Sequence, residues 1–334
     1  MATEPVPAGQ PCADRPVVEP SADHVVGLNA PARSLKMLEL QIAGGATEVY
    51  LGLRPEDGPV SFDSLPANRD GEQTHVSSPA LLGEIVTAAH TAGLIVHFCA
   101  DTPVVRAADE AAFRRHVERG VAAGVDTLVV GSLPACSWLA GGELPVVAGG
   151  ALGVSTPDLA AHLHEKYGVR RVVVPHTLAL DEIALFCGLP GLEIETPVQT
   201  GAGLDCTRCR LQDTPGVGLG CRAGYRRADD PTADLGGFLD GAADCALCDV
   251  PSLIALGVTT LQVAGRESPN LRQNAKITQM YRRALRGHAA GTPITEVIKE
   301  IDRVELMWQM GWLPRLCDQQ RCRFRDTPQL RAYV

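Results

Sequence analysis

The chain has 334 residues, of which 45% are apolar, 21% charged and only 4% aromatic, and its formal net charge is −9. That is enough chain for one large α/β unit with a full core, while the acidic balance and the scarcity of rings argue against a nucleic-acid surface that grips phosphates broadly or stacks bases. No apolar run approaches the ~18 residues of a membrane span, and Met1-Ala-Thr-Glu-Pro5 has neither the basic start nor the apolar centre of a secretory signal. A cytoplasmic protein without a membrane span is expected.

Residues 1–22 are rich in Pro, Ala and acidic side chains without periodicity, and are expected to form a disordered leader. From His24 the pattern changes. His24–Asn29 is expected to be a short buried strand, Ala32–Gly44 a helix and Glu48–Leu53 a second strand. The unit then recurs: helix Ala80–Ala92 feeds strand Leu94–Cys99, and helix Ala108–Ala123 feeds strand Thr127–Gly131. Strand Pro145–Gly149, helix Pro157–Tyr167, strand Val172–Pro175, helix Leu180–Phe186 and strand Leu192–Glu195 follow. Three connections are near-copies: Ala43-Gly-Gly-Ala-Thr-Glu-Val49, Ala122-Ala-Gly-Val-Asp-Thr-Leu128 and Ala255-Leu-Gly-Val-Thr-Thr-Leu261. In each, a glycine ends a helix, as a left-handed C-cap requires, and a strand begins. Short apolar strands alternating with helices imply parallel pairing under helical cover. Counting through Thr260–Ala264 gives about eight strands, which favours a (β/α)8 TIM-type barrel, regular or irregular. Asn270–Arg286 and Ile294–Met310 carry helical spacing, and a basic segment holding Cys317 and Cys322 ends the chain. The expected organisation is the leader, a barrel over 23–290, and a C-terminal helix and tail over 291–334.

The barrel is interrupted by a cysteine-rich loop. Five of the eleven cysteines fall between Cys206 and Cys248: Cys206-Thr-Arg-Cys209, then Cys221, then Cys245-Ala-Leu-Cys248. Thr214-Pro-Gly-Val-Gly-Leu-Gly220 between them is too glycine-rich for a helix or an interior strand. Disulfides are uncommon in the cytosol, so grouped thiols there point to metal or redox chemistry. Two C-x2-C pairs fit a closed zinc site, although their separation is long for a compact ribbon; an iron–sulfur cluster also takes four thiolates and tolerates irregular spacing. A lone buried cysteine packs like any small apolar residue, which is the simpler account of each one taken singly.

Barrel catalysis draws on residues at the C-terminal ends of strands. Glu195 is expected to end a strand just before the loop, Arg266 follows strand Thr260–Ala264 directly, His176 ends a strand, and Asp101 follows one. Arg266, beside Gly265, is well placed to grip a carboxylate or phosphate, or simply to pair with a neighbouring carboxylate. His97, inside an apolar strand, reads as a satisfied core residue. His162 and His164 lie two apart on one helix and face different sides.

These residues carry a resemblance to the peptidase U32 family. His24-Val-Val-Gly-Leu-Asn-Ala-Pro31 and Gly45-Ala-Thr-Glu-Val-Tyr-Leu-Gly52 resemble its opening barrel unit. Arg171–Ile183 resembles its R-V-V-L-x-R-E-L-S-L-x-E-I segment, Asp244–Leu253 resembles D-L-C-x-I-x-x-L-P-E-L, and Gly257–Arg266 resembles G-V-D-S-L-K-I-E-G-R. The resemblance implies a barrel carrying a [4Fe–4S] cluster, with Cys206, Cys209, Cys221 and Cys245 as cofactor ligands, Cys248 in reserve and zinc as the alternative metal. It also implies oxygen-independent hydroxylation or related redox modification of a small or carrier-bound metabolite, with prephenate as a possible oxygen donor. Arg266 would hold an anionic group, with His176 and Glu195 handling protons. A peptidase, or a non-catalytic metal-bearing subunit in a heterodimer with a related U32-type protein, is the alternative. The chain departs from the family pattern at His176-Thr177, where the family has Arg-Glu, at Ala264, where it has Glu, and at Gln199-Thr200, where it has His-Gly. Three polar positions are thus rewritten, which points to a different substrate. No nucleophile stands in a recognisable context with a base, and no H-E-x-x-H occurs.

Overall fold

The computed structural model describes residues 26–54, 62–63, 68–69, 72–199, 225–230, 232, 234–236, 245–268, 270–303 and 322–324. Eight parallel strands close into a barrel: β1 (Gly27–Pro31), β2 (Glu48–Leu51), β3 (Ile95–Ala100), β4 (Thr127–Val130), β5 (Val146–Ala148), β6 (Val169–Val173), β7 (Glu193–Gln199) and β8 (Thr260–Val263). Each strand pairs with the next in sequence, and β8 closes on β1 through Gly27–Thr260, Leu28–Leu261 and Asn29–Gln262. The expected TIM-type barrel is the observed fold. Helices α1 (Leu35–Gly44), α2 (Pro79–Thr91), α3 (Glu110–Ala122), α4 (Leu133–Leu139), α5 (Pro157–Tyr167), α6 (Leu180–Cys187) and α7 (Val250–Leu256) connect the strands, and α8 (Leu271–Ala289) and α9 (Ile294–Arg303) follow. Two-residue strands at Asn68–Arg69 and Glu72–Gln73 form a small ribbon, and Tyr225–Arg226 pairs with Asp234–Gly236 in another.

The local signals explain these boundaries. Ser34, Ser78 and Thr156 accept hydrogen bonds from the third helical N–H of α1, α2 and α5, and proline fills the first turn of α2 and α5. Gly45, Gly124 and Gly257 in the three repeated connections take φ of 86°, 86° and 94°, the left-handed conformation that lets the chain turn from helix into strand. Helix α4 was not anticipated, because seven residues are too few to display a period.

Successive strand residues face alternately outward and inward. Val96, Phe98 and Ala100 of β3 pack under the helices with Leu128, Val130, Phe113 and Val117. His97 and Cys99 face the barrel interior, which has two tiers. The tier nearer the strands' C-terminal ends is mainly apolar: Cys99, Val129, Val147 and Val173, with Tyr50 against them. The lower tier is charged. Glu48 accepts from His97 Nε2 at 2.7 Å and from Arg171 Nη1 at 2.5 Å, and Thr127 meets the other His97 ring nitrogen at 2.6 Å. Arg171 also reaches Glu195 at 3.1 Å and Glu193 at 2.9 Å, and Asn29 donates to the second Glu195 oxygen at 2.9 Å. A Cβ on Gly27 would lie 2.2 Å from a Glu48 oxygen, so the network requires bare backbone there.

This corrects the expected position of Glu195. Strand β7 continues to Gln199, so Glu195 is buried in the middle of a strand, with its carboxylate committed to Arg171 and Asn29. His97 is the buried, paired residue its sequence context implies.

Burial alone would raise the Glu48 carboxyl, but the His97 hydrogen bond and the Arg171 charge outweigh it and lower its pKa from 4.5 to about 2. A depressed carboxyl stabilises the fold above its unfolded pKa, and that contribution disappears as pH falls from about 4.5 towards about 2. Glu48→Gln should cost roughly 3–5 kcal/mol at neutral pH, because it leaves Arg171 and Glu195 imperfectly balanced in the interior. Thermal melts of the variant should also fall less steeply with acid across that window; parallel curves for the two proteins would contradict the assignment.

Candidate active site at the barrel mouth

Arg266 lies three residues beyond β8, and its approach is fixed by backbone geometry. Gly265 has φ 122°, and Asn274 Nδ2 donates to the Ala264 carbonyl at 2.8 Å. The Arg266 carbonyl accepts from Arg33 Nη1. The side chain is only 2% exposed and donates to Asp63, which also lies 3.4 Å from His75 Nε2. Its guanidinium sits 5.8 Å from the centre of the Tyr50 ring, itself tied to the Val263 carbonyl at 3.2 Å. Burial would raise the Asp63 carboxyl, but the Arg266 charge and the His75 hydrogen bond lower it to about 2, so it stays ionised. Gly52 makes room for the pair: a Cβ there would lie 2.0 Å from Asp63 and 2.7 Å from Arg266 Nη1.

Arg266 therefore has the carboxylate partner that its simpler reading predicts, but that partner does not use up its donors. Nε and Nη1 have no hydrogen-bond partner among the described residues, and buried donors of this kind call for an acceptor. Asp63, Cys99 and Asp101 also place ligand atoms within 4.8 Å of one another. Burial pushes the Cys99 thiol well above its ordinary range, and the adjacent guanidinium already supplies positive charge, which opposes a divalent cation there. Asp63, His75, Tyr50 and Gly52 were not identified from sequence. Asp63 and His75 lie in the connection between β2 and α2, which carries no period.

A second feature lies at the end of β7. Strand β7 ends at Gln199, and its end is joined to the described chain at Cys245 and Ala246. Ala246 N donates to the Val198 carbonyl at 3.2 Å. The fully buried Tyr281 hydroxyl, carried by α8, donates to the same carbonyl at 2.5 Å and accepts from Ala246 N at 3.1 Å. Cys245 is buried at this neck, and its sulfur accepts from Leu247 N at 3.4 Å, with the Tyr281 hydroxyl 3.9 Å away. Cys248 is half-buried in the turn that leads into α7. Cys206, Cys209 and Cys221 lie outside the described residues.

His176 is half-buried in the turn after β6, and its carbonyl accepts from Arg323 Nε at 3.0 Å. Strands β6 and β8 flank β7. His176, Cys245 and Arg266 thus follow, or adjoin the ends of, three consecutive strands at one end of the barrel, while Glu195 sits below them. Tyr281→Phe should cost about 1–3 kcal/mol, the usual penalty for leaving a buried polar group short of a partner, and urea denaturation will measure it. An unchanged midpoint would show that the Ala246–Val198 bond alone closes the neck.

The chain is similar to several solved structures. The U32 peptidase Mk0906 shares 15% identity over 76% of this chain and 98% of its own, with a TM-score of 0.46. The YdjI aldolase from Escherichia coli K12 shares 12% identity over 81% of this chain and 93% of its own, with a TM-score of 0.42. N-(5'-phosphoribosyl)anthranilate isomerase from Pyrococcus furiosus shares 11% identity over 78% of this chain and 99% of its own, again at 0.42. Likenesses this distant do not carry a substrate from one chain to another. No curated protein matches the chain in sequence. The family model described as peptidase family U32 matches residues 33–309. That span takes in every barrel strand after β1 and both elements that carry Arg266 and Tyr281, and the chain belongs to peptidase family U32.

Proposed function

We propose that the chain is an iron–sulfur enzyme that modifies a small or carrier-bound metabolite by oxygen-independent hydroxylation or related redox chemistry. The observation that carries this reading is the position of Cys245: a buried sulfur at the neck of the cysteine-rich segment, beside β7, with Arg266 and His176 following the strands on either side. The Leu247 N–H directed at that sulfur, with the Tyr281 hydroxyl nearby, suits a metal-bound thiolate, because hydrogen bonds to ligand sulfurs stabilise their charge and tune the potential.

Cys206, Cys209, Cys221 and Cys245 would hold a [4Fe–4S] cluster, with Cys248 in reserve and zinc as the alternative occupant. When bound, the cluster supplies one-electron chemistry. The chain's own residues do the rest. Arg266, with two buried donors that have no partner among the described residues, binds an anionic group of the substrate or of a donor such as prephenate. Asp63 and Tyr50 fix the guanidinium in place. Proton handling falls to His176 rather than Glu195, whose carboxylate is already committed within the barrel. Proteolysis by a cysteine nucleophile has little support: burial pushes the Cys99 thiol well up and holds Cys136 at about 12, so neither is a thiolate at neutral pH. A role as the metal-bearing subunit of a heterodimer with a related U32 chain is the competing proposal.

Arg266→Lys keeps the charge opposite Asp63 but loses the fork geometry, so the iron content should stay at the wild-type level while anion binding weakens about 10- to 100-fold. Isothermal titration of the anaerobic protein with prephenate and simple dicarboxylates reads the binding. Equal affinity in both proteins would remove Arg266 from the site. His176→Ala should abolish anaerobic conversion in metabolite extracts and retain the metal, and full conversion by this variant would favour the subunit role.

A further inference from the structure

The C-terminal segment around Cys322 lies beyond the family match, which ends at residue 309, yet the fold brings it to the metal-site neck. Cys322 forms a parallel bridge with Cys245. The following amide, Arg323 N, donates to the Cys245 carbonyl at 3.0 Å. The Arg323 side chain then turns to the end of β6, where Nε donates to the His176 carbonyl at 3.0 Å and Nη2 approaches the Pro175 carbonyl at 3.5 Å. Its guanidinium lies 4.6 Å over the Phe324 ring, and Phe324 packs against the hydrophobic core. Three consecutive residues are therefore anchored by backbone pairing, by a charged clamp on two carbonyls and by an apolar contact.

The outcome of this anchoring is the placement of one sulfur. Residues paired across adjacent strands sit about 5 Å apart at the backbone and project to the same side. Cys322 is thereby set beside Cys245, the cysteine that the family pattern makes a cluster ligand.

We propose that Cys322 is a ligand of the iron–sulfur centre, bound beside Cys245 and supplied by a C-terminal segment outside the family's matched region. The inference rests on the iron–sulfur reading above. Each thiol gives up its proton on binding iron, and no electron transfer is involved in the ligation. Arg323, next to Cys322, couples this position to the His176 turn.

Full-length wild type, Cys245→Ser, Cys322→Ser and the control Cys187→Ser should be prepared anaerobically. Iron, acid-labile sulfide and the electron paramagnetic resonance spectrum of the reduced protein should then be compared. Cys322→Ser is expected to lose iron and sulfide as Cys245→Ser does, while Cys187→Ser keeps the wild-type content. Wild-type iron and an unchanged spectrum in Cys322→Ser, with Cys245→Ser stripped, would overturn the ligand role and leave the iron–sulfur reading standing. A wild type without iron would overturn both. Should Cys322→Ser fail to fold, alkylation mapping of the wild type decides. Cys322 and Cys245 should be protected together when iron is bound and react together after chelation; equal labelling of Cys322 in both states would refute its ligation.

Discussion

One hydroxyl group, buried on α8, holds the functional end of the barrel in register. Tyr281 donates to Val198 on β7 and accepts from Ala246, so the end of β7 and the residue after Cys245 share a single partner atom. The Ala246–Val198 hydrogen bond joins the same two points directly. Because the hydroxyl is fully buried, both bonds form out of competition with water, and each unmade one would leave a buried group unsatisfied. Cys245 sits at this neck, Cys322 pairs with it, and Arg323 reaches the turn after β6.

The barrel beneath the neck is stratified by charge. Glu48, Arg171, Glu195 and His97 neutralise one another in the lower tier, and the valines with Cys99 and Tyr50 separate them from the Arg266–Asp63 pair at the mouth. Buried ion pairs seldom add much net stability, since desolvation offsets their attraction, but they are intolerant of losing a partner. The two networks differ in one respect. The described donors of Arg171 are spread over three carboxylates, whereas two Arg266 nitrogens have no partner among the described residues. The lower network pairs each of its charges with an opposite one, and the free Arg266 donors are the feature on which the proposed anion site rests.

Much of this was legible in the sequence. Alternating short apolar strands and capped helices determine a closed parallel barrel, and the three glycine-marked connections locate helix ends to within a residue. Arg266 was identifiable because it directly follows a strand. Glu195 was misplaced because Thr196-Pro197 looks like a strand end, proline being unable to donate to a ladder. The strand passes through it because Pro197 pairs with Gln262 at a register shift in β8. Asp63 and His75 sit in an aperiodic connection, and their partnership with Arg266 exists only once the barrel closes. The adjacency of Cys322 and Cys245 was not legible for the same reason: the tertiary fold brings the two together.

The central claim is that sulfur from the β7 neck binds iron. Mössbauer spectroscopy of anaerobically isolated protein, from cells grown on enriched iron, addresses it most directly. The account predicts tetrahedral sulfur-coordinated iron in a [4Fe–4S] cluster, lost when Cys245 is replaced by serine. Protein with stoichiometric zinc and no iron signal, or iron retained unchanged in Cys245→Ser, would contradict it.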